Sequence, residues 1–396
     1  MTSELARRLA FTLGALLVFL LGTYIPLPGL NGAVVRELFS GGGIGRAAIF
    51  SLNVVPYVSA AIIVQLAMVA SPRLRGLRKH GAQGRAIIER WTRCITVGLT
   101  ALQSVGIASA YQSIPGVVTD PGWFFVVTTT LTLTAGTMFL VWLSAQITAS
   151  GIGNGLALML LAGFVTRIPA GIAGALEVGR QGLLSQKGLL ALAAIVLVTV
   201  GLVVLMEQGR RHMPLRYAKR EIGGVTYAQS SSFLTVKLNN AGVMPVVFAS
   251  WLVGLPALGS VVSPRLADVA SQLQPGRPFF LILYGLLVVF GAFFYTAFVL
   301  DPDEIAGNLR QHGGAIAGVE PGEATAAHVD HVVSRITVIG SVYLAAVCLL
   351  PFVLVVAADV PFTFGGPPLL LVVCTLLDLM AQLRAYGGAR PVGSRR

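Results

Sequence analysis

Apolar stretches of about twenty residues recur from one end of the chain to the other, and this repetition leaves few folds open to it. Each stretch is long enough to cross a hydrocarbon core about 30 Å thick as an α-helix. Of the 396 residues, 55% are hydrophobic and only 11% are charged, whereas soluble domains carry about a quarter charged residues. We therefore predict an all-α polytopic membrane protein. Its ten predicted spans are 9–26, 54–71, 95–111, 123–148, 152–172, 188–206, 241–258, 279–300, 335–357 and 364–383.

Lysine and arginine are distributed unevenly between the two sides of these spans. Such residues accumulate in the cytoplasmic segments of membrane proteins, so the side that holds most of them is predicted to be the inside. If the N-terminus is inside, only seven of the 28 fall outside: Arg36, Arg46, Arg167, Arg180, Lys187, Arg265 and Arg277. The distribution predicts a multi-pass protein with both termini in the cytoplasm.

Three of the predicted inside loops are long enough to have a function of their own. Loops 72–94 and 207–240 are strongly basic, and the densest run is 210–220. Such clusters either fix topology against anionic lipid or dock an anionic partner, such as ribosomal RNA or an acidic protein surface. Loop 301–335 is acidic and rich in glycine, and its length predicts a structured hairpin or arm.

The spans lack the residues that other classes of membrane protein require. Ion-coupled transporters keep ionisable side chains inside their spans, but these span interiors hold almost none apart from Asp378, near the cytoplasmic end of the last span. Neither a phosphate-binding G-x-x-x-x-G-K-[ST] motif nor a Ser/His/Asp or Cys/His arrangement is found. His328 and His331 have helical spacing, but a pair alone is a weak metal signal. We predict no catalytic residues, no metal and no cofactor.

Seven motifs, in order along the chain, resemble those of the SecY family of protein translocase channels. Two of them are residues 49–66 and the turn Gly151-Ile152-Gly153-Asn154-Gly155. The others are 11–13 with 24–31, then 136–143, 217–220, 236–245 and 294–296. Together they cover nearly the whole chain, and their serial order makes the resemblance specific.

The resemblance implies two five-helix halves related by a pseudo-two-fold axis in the membrane plane. On this chain the halves would be 1–173 and 188–396, hinged by an outside connector at 174–187. The implied function is a passive channel of the bacterial inner membrane, through which unfolded precursors are secreted and from which membrane proteins leave sideways. Its driving force would come from outside the chain, from the SecA motor or from a translating ribosome.

The resemblance also implies roles for individual residues. A ring of aliphatic side chains would block ions in the idle channel by dewetting, and a plug at 43–53 would rest against that ring. The implied ring is Val54, Val58, Ile62, Leu156, Leu160, Val247 and Leu371, and the implied plug residues are Ile44, Ile49, Phe50 and Leu52. Without the family, the same aliphatic residues indicate only ordinary packing or lipid contact.

The sideways exit and the docking surfaces are implied in the same way. Ser59, Gln103 and Asn239 would lie on the seam between the halves, where they either ease opening or form ordinary hydrogen bonds between helices. The implied docking residues are Arg211, Arg216, Lys219, Arg220, Arg310 and Glu320. The implied partners are SecE and SecG-like small subunits, SecA, the ribosome, preproteins with their signal sequences, and anionic lipids.

The chain departs from the family pattern in three places. Glu320 stands where the family usually has an arginine that is important for motor-driven transport, and Pro367-Pro368 stand where Thr-Ser is usual. The stretch 81–85 lacks the glutamate that usually follows its first glycine. Three alternatives to the standard channel therefore stay open: a divergent accessory paralogue with altered motor coupling, a secondary transporter of small solutes, and a membrane scaffold that does not conduct.

Overall fold

A computed structural model of the chain describes residues 2–32, 34, 47–71, 74, 76, 81–166, 168–181, 185–217, 220–222, 225–227, 231–259, 264–358 and 366–388. Its main helices are α1 (Thr2–Tyr24), α2 (Val55–Ala70), α3 (Gly81–Gln112), α4 (Trp123–Ser150), α5 (Gly155–Val165), α6 (Ile168–Arg180), α7 (Gln186–Gln208), α8 (Met244–Gly259), α9 (Pro264–Gln272), α10 (Pro278–Val299), α11 (Pro302–Gln311), α12 (Glu323–Ala358) and α13 (Pro367–Gly388). Its strands are β1 (Arg210–Tyr217), β2 (Arg220–Ile222), β3 (Val225–Tyr227), β4 (Ser231–Lys237) and β5 (Gly314–Ile316).

Helices occupy all ten predicted spans. Within the described ranges, seven helices are long and apolar enough to cross a membrane, namely α1, α3, α4, α7, α10, α12 and α13. Three shorter apolar helices, α2, α5 and α8, lie at the remaining positions. The prediction of an all-α polytopic protein with ten spans is therefore confirmed. The predicted span 152–172 is divided in the structure, because α5 ends at Val165 and α6 begins at Ile168.

Two helices begin well before the apolar stretches that they contain. Helix α3 begins at Gly81 rather than near residue 95, and α12 begins at Glu323 rather than near residue 335. The first turns of α3 therefore carry basic residues of loop 72–94, and one of them, Arg93, forms an ion pair with Glu89.

Two of the predicted inside loops combine in a small sheet that the sequence analysis did not predict. Strand β1 pairs antiparallel with β4, beginning with Arg210 opposite Lys237, and with β5, where Leu215 lies opposite Ile316. Strands β2 and β3 form a separate two-stranded sheet. Side chains alternate along β1 as a strand requires, since Met213 and Leu215 are buried whereas their neighbours are exposed.

Contacts between Cα atoms divide the chain into two compact units. The first comprises Met1–Ser185, Leu255–Ala270 and Thr375–Arg396, and the second comprises Gln186–Gly254 and Ser271–Cys374. In the first unit α3 packs on α2 and α4, and α1 and α5 pack on each other and on α4. In the second unit α10 packs along α12, and an apolar core joins the sheet to α11 and α12. The proposed halves 1–173 and 188–396 stay a prediction.

Candidate channel constriction and docking surface

Two short helices of the first unit position five of the seven predicted ring residues. Val54 precedes the first turn of α2 and is fully buried. Val58 and Ile62 follow at intervals of four, so they lie on one face of that helix. Leu156 and Leu160 have the same spacing on α5 and are half-buried. The residues of each helix therefore present one aliphatic stripe.

The structure brings three of these ring residues together with two residues of the predicted plug. Val54, Leu156 and Leu160 belong to one apolar cluster, which also contains Phe50 and Ile49. The rest of the cluster comes mainly from α1, α4 and α5, and close packing of this kind leaves little room for water. An aliphatic constriction that excludes water is a barrier to ions, so the cluster has the chemistry that the predicted ring and plug require.

The two remaining ring residues lie in the second unit. Val247 is half-buried on α8, between the buried side chains of Val246 and Phe248. Leu371 is buried on α13 beside the fully buried Leu370. The ring as a whole stays a prediction, because it combines residues of both units.

The turn at 151–155 fixes the start of α5 and hence the position of Leu156. The amide of Ile152 donates to Thr12 Oγ1 over 3.0 Å, and the amide of Gly153 donates to Gln382 Oε1 over 2.8 Å. Asn154 caps α5, because its Oδ1 accepts hydrogen bonds from the amides of residues 156 and 157. The backbone of Gly155 lies so close to the carbonyl of Ser144 that a Cβ atom has no space. The glycines here permit close packing of α4 on α5.

The described part of the plug segment, residues 47–53, is anchored by backbone hydrogen bonds. The amide of Leu27 donates to the carbonyl of Ala47 over 2.8 Å, and the amide of Ile49 donates to the carbonyl of Ile25 over 3.0 Å. Residues 51, 53 and 55 then close successive turns back onto residues 48, 50 and 52. Of the other predicted plug residues, Leu52 packs at the edge of a second apolar cluster, and Ile44 lies outside the described residues.

Phe50 holds this segment against α1 and α4. Its ring stacks between those of Phe19 and Phe139, with centroid distances of 6.3 and 5.8 Å. Glycines make the close approach possible on both sides. Phe50 fills the space where Gly22 would carry a side chain, and a Cβ atom on Gly136 would lie 2.5 Å from the carbonyl oxygen of Ile49. The plug segment therefore packs against α1 and α4 at two positions, Gly22 and Gly136, that have no side chain.

Asn53 joins the end of the plug segment to α5, and sequence reasoning did not identify it. Its Nδ2 donates to the carbonyl of Met159 over 3.2 Å, while its Oδ1 accepts from the amide of Val54 over 2.8 Å. Its φ of 50° lies in the left-handed region, which asparagine tolerates better than most residues do. An asparagine just before a helix with proline in its first turn was the available sequence signal.

The three predicted seam residues have different surroundings. Ser59 is buried on α2 and donates to the carbonyl of Val55 in its own helix over 3.1 Å. Gln103 is half-buried on α3. Asn239 lies between β4 and α8, where its Nδ2 donates to Glu207 Oε1 over 2.7 Å. The sequence analysis did not consider Glu207, because it assigned that residue to a loop.

The outer face of the three-stranded sheet is basic and carries an exposed aromatic residue. Arg210, His212 and Arg216 of β1, together with Lys237 of β4, are exposed on it. The Phe233 ring is also exposed and meets His212 edge to face. Long-range attraction of anions by such a surface is expected at moderate ionic strength. The sheet therefore offers a positively charged docking face.

Four of the six predicted docking residues lie on or next to the three-stranded sheet. Arg211 and Arg216 are exposed on β1, Arg310 is exposed in the last turn of α11, and Glu320 is exposed just before α12. Arg220 begins β2, and Lys219 lies outside the described residues. Within the described part of the chain, no three His, Cys, Asp or Glu residues are grouped as a metal site requires.

Three comparisons with known proteins agree with this arrangement. A model of the SecY family matches residues 48–380. The protein translocase subunit SecY of Escherichia coli K12 is 42% identical over 404 residues, which cover 96% of this chain and 91% of that protein. A solved SecY, whose plug domain stabilises the closed state and maintains a membrane seal, is 18% identical with a TM-score of 0.72 and covers 99% of this chain and 95% of its own. Sec61 from a canine ribosome–channel complex is 15% identical with a TM-score of 0.64 over the same shares of the two chains.

Proposed function

Because this chain belongs to the SecY family, we propose that it is the central subunit of a bacterial Sec translocase and forms a passive protein-conducting channel. It is a multi-pass protein of the bacterial inner membrane. The observation that carries the proposal is the apolar cluster that joins Phe50 and Ile49 to Val54, Leu156 and Leu160, in a chain related over nearly its full length to a translocase subunit.

The idle channel is closed by the aliphatic ring and the plug. Val54, Val58, Ile62, Leu156 and Leu160 from the first unit, with Val247 and Leu371 from the second, form the ring. Their side chains offer no hydrogen bonds to a hydrated ion, so a narrow opening between them stays dry. Residues 43–53 cover the ring until a precursor displaces them, and the stack of Phe50 on Phe19 and Phe139 opposes that displacement.

Membrane proteins leave the channel sideways, between the halves 1–173 and 188–396. Ser59, Gln103 and Asn239 lie along this seam, where polar groups make separation of the halves easier than a wholly apolar interface would. Support for this role comes from the positions of Ser59 on α2 and Gln103 on α3, two helices that pack together in the first unit.

The SecA motor or the ribosome that drives transport docks on the basic three-stranded sheet. The N- and C-termini lie on the same, cytoplasmic side. The exposed arginines of β1 and Arg310 of α11 support attraction of an anionic partner. The structural relative Sec61 occurs in a ribosome–channel complex, which favours the ribosome as one partner of this chain. SecE and SecG-like subunits, SecA, signal sequences of preproteins and anionic lipids complete the expected set of partners.

The comparisons support none of the alternatives. The related proteins are translocase subunits and protein-conducting channels rather than small-solute transporters. The identity of 42% to a translocase subunit extends over nearly the full length of both chains, which gives no support to a scaffold or to a divergent accessory role.

Crosslinking to a stalled precursor tests the proposed channel. A photoreactive amino acid replaces Leu160 on α5 in one variant and Leu131 on α4 in a control, and a precursor fused to a tightly folded domain jams the complex in vesicles. Leu131 is 66% exposed on a span and faces away from the cluster. We expect crosslinks from position 160 and none from position 131. Equal yields at both positions, or none at either together with saturable uptake of a small solute, would refute the proposal.

A further inference from the structure

Strands β1 and β4 form a basic hairpin over Arg210–Lys237. A buried polar contact, called here the joint, lies where this hairpin is connected to α7 and α8. Glu207 occupies the last turn of α7, directly before β1, and Asn239 lies directly after β4, before α8. The two residues therefore flank the hairpin on its incoming and outgoing strands. Asn239 is 6% exposed and Glu207 is half-buried, so their contact is largely shielded from water.

Hydrogen bonds to a single carboxylate connect several elements at this joint. Asn239 Nδ2 donates to Glu207 Oε1 over 2.7 Å and to the carbonyl of Gly242 over 3.1 Å. The hydroxyl of Tyr343, which is buried on α12, makes a longer bond of 3.5 Å to the same carboxylate oxygen. Cys374 of α13 is a further hydrogen-bond partner of Glu207. These bonds hold α7, the link before α8 and α12 to one side chain.

The backbone at the hairpin base is also fixed. The amide of Leu238 donates to the carbonyl of Gly209 over 2.9 Å, which closes the base of the hairpin. The carbonyl oxygen of Leu238 would lie 2.6 Å from a Cβ atom on Gly340, so only glycine lets α12 come so near. The base of the hairpin is thus seated directly on α12.

The rest of the sheet is packed on the same helix. Met213, Leu215 and Val236 share an apolar core with Val329 and Val333 of α12. The sheet and α12 therefore form one packed body in the second unit. Residues 238–243 connect this body to α8, which also packs on α10, where Phe248 stacks on Phe294. Within this short link, Asn239 is the residue bonded to Glu207.

We propose that Glu207 is a positioning residue that holds Asn239, and with it the first turn of α8, to the docking hairpin. A partner bound to the basic face then acts on α8 through the Glu207–Asn239 bond. This inference rests on the proposed function only for the identity of that partner. The joint itself is a property of the folded second unit.

Hydrogen exchange of the amides in the first turn of α8 tests the joint without a precursor. Asn239→Leu removes the bonds to Glu207 and to the carbonyl of Gly242, and leaves Glu207 with Tyr343 and Cys374 as partners. The double variant E207Q/N239D reverses donor and acceptor across the contact between these two residues but does not restore the bond to the carbonyl of Gly242. Gln208→Leu changes an exposed neighbour as a control. We expect Asn239→Leu to speed exchange at residues 241–247 by about tenfold. The double variant should recover part of that difference, and the control should remain close to the natural chain. Unchanged exchange in Asn239→Leu, or no recovery in the double variant, would overturn the joint.

Added ribosomes serve as the anionic probe for coupling. In the natural chain and in the Asp330→Asn control, we expect ribosome binding to change exchange in the first turn of α8. In Asn239→Leu, ribosomes bind with the same affinity but leave that exchange unchanged. Two results would refute the proposed coupling between the docking face and α8. One is that ribosomes change the exchange rate equally in Asn239→Leu and in the natural chain, and the other is that bound ribosomes leave it unchanged in the natural chain. If a precursor gave no crosslinks to position 160 in the natural chain, the proposed channel function would be refuted. The exchange data would still show whether Glu207 positions Asn239.

Discussion

The ring of Phe50 stacks on that of Phe19, with centroids 6.3 Å apart and planes within 2° of parallel. Phe19 belongs to α1 and Phe50 to the plug segment, so this contact ties a segment without regular structure to a membrane helix. Phe50 is only 8% exposed, and Gly22 and Gly136 leave the space that it fills. The position of this segment therefore depends on an aromatic side chain and on two positions that have no side chain.

Replacing Phe50 with alanine is expected to weaken the closed state. The change leaves a cavity between Phe19 and Phe139, and burial losses of this kind cost about 3 kcal/mol of stability. We expect the idle, reconstituted channel to leak ions more than the natural chain does. Single-channel conductance in a planar bilayer measures the effect. The control Phe124→Ala removes a ring that is 71% exposed and should leave conductance unchanged; an equally tight Phe50→Ala channel would contradict the seat described above.

Gly136→Ala is expected to destabilise the protein although alanine favours helices. Its Cβ atom would lie 2.5 Å from the carbonyl oxygen of Ile49, so the plug segment would have to move. Gly106→Ala on α3 provides a matched control, because nothing lies within 4 Å of that position. We expect a lower midpoint of thermal unfolding in detergent for Gly136→Ala, and an unchanged or higher one for Gly106→Ala, where alanine gains up to about 1 kcal/mol. The same shift in both variants would show that the close approach of Ile49 does not require glycine at position 136.

Glu320→Arg is expected to increase transport driven by SecA. The family resemblance implies an arginine at this position, and the exposed side chain of Glu320 permits the change without loss of packing. Translocation of a precursor into vesicles, with purified SecA and ATP, measures the gain. Asp330→Arg makes the same charge change at an exposed position of α12 and serves as the control. No gain, or an equal gain in the control, would indicate that this chain relies on another driver.

Removing two exposed arginines from the outer face of β1 is expected to weaken ribosome binding and its dependence on salt. Arg210 and Arg216 are both exposed on this face, and each contact with a phosphate adds about 0.7–0.9 to the slope of log affinity against log salt concentration. A double change to serine should therefore lower affinity most at low salt and flatten that slope. Cosedimentation with ribosomes at several salt concentrations measures both effects. An unchanged slope would place the docking face elsewhere.

Much of the fold follows from local sequence patterns. The ten apolar stretches predict the helices of the spans because each is long enough to satisfy its own backbone hydrogen bonds in lipid. Patterns of this kind locate a span but not its ends, since α3 and α12 extend into polar sequence. The ring residues could be selected only through the family resemblance, because any aliphatic residue in a span satisfies the same local pattern.

The sequence by itself determined the membrane class, the positions of the spans and the basic character of loop 207–240, since each depends on the composition of short segments. Only the tertiary structure decided that Phe50 is seated between Gly22 and Gly136, that two distant loops form one sheet, and that Glu207 binds Asn239. These contacts join residues far apart in the chain, such as Asn53 and Met159, which are separated by 106 positions. Local patterns do not predict such pairs, because the packing of whole helices decides which side chains are in contact.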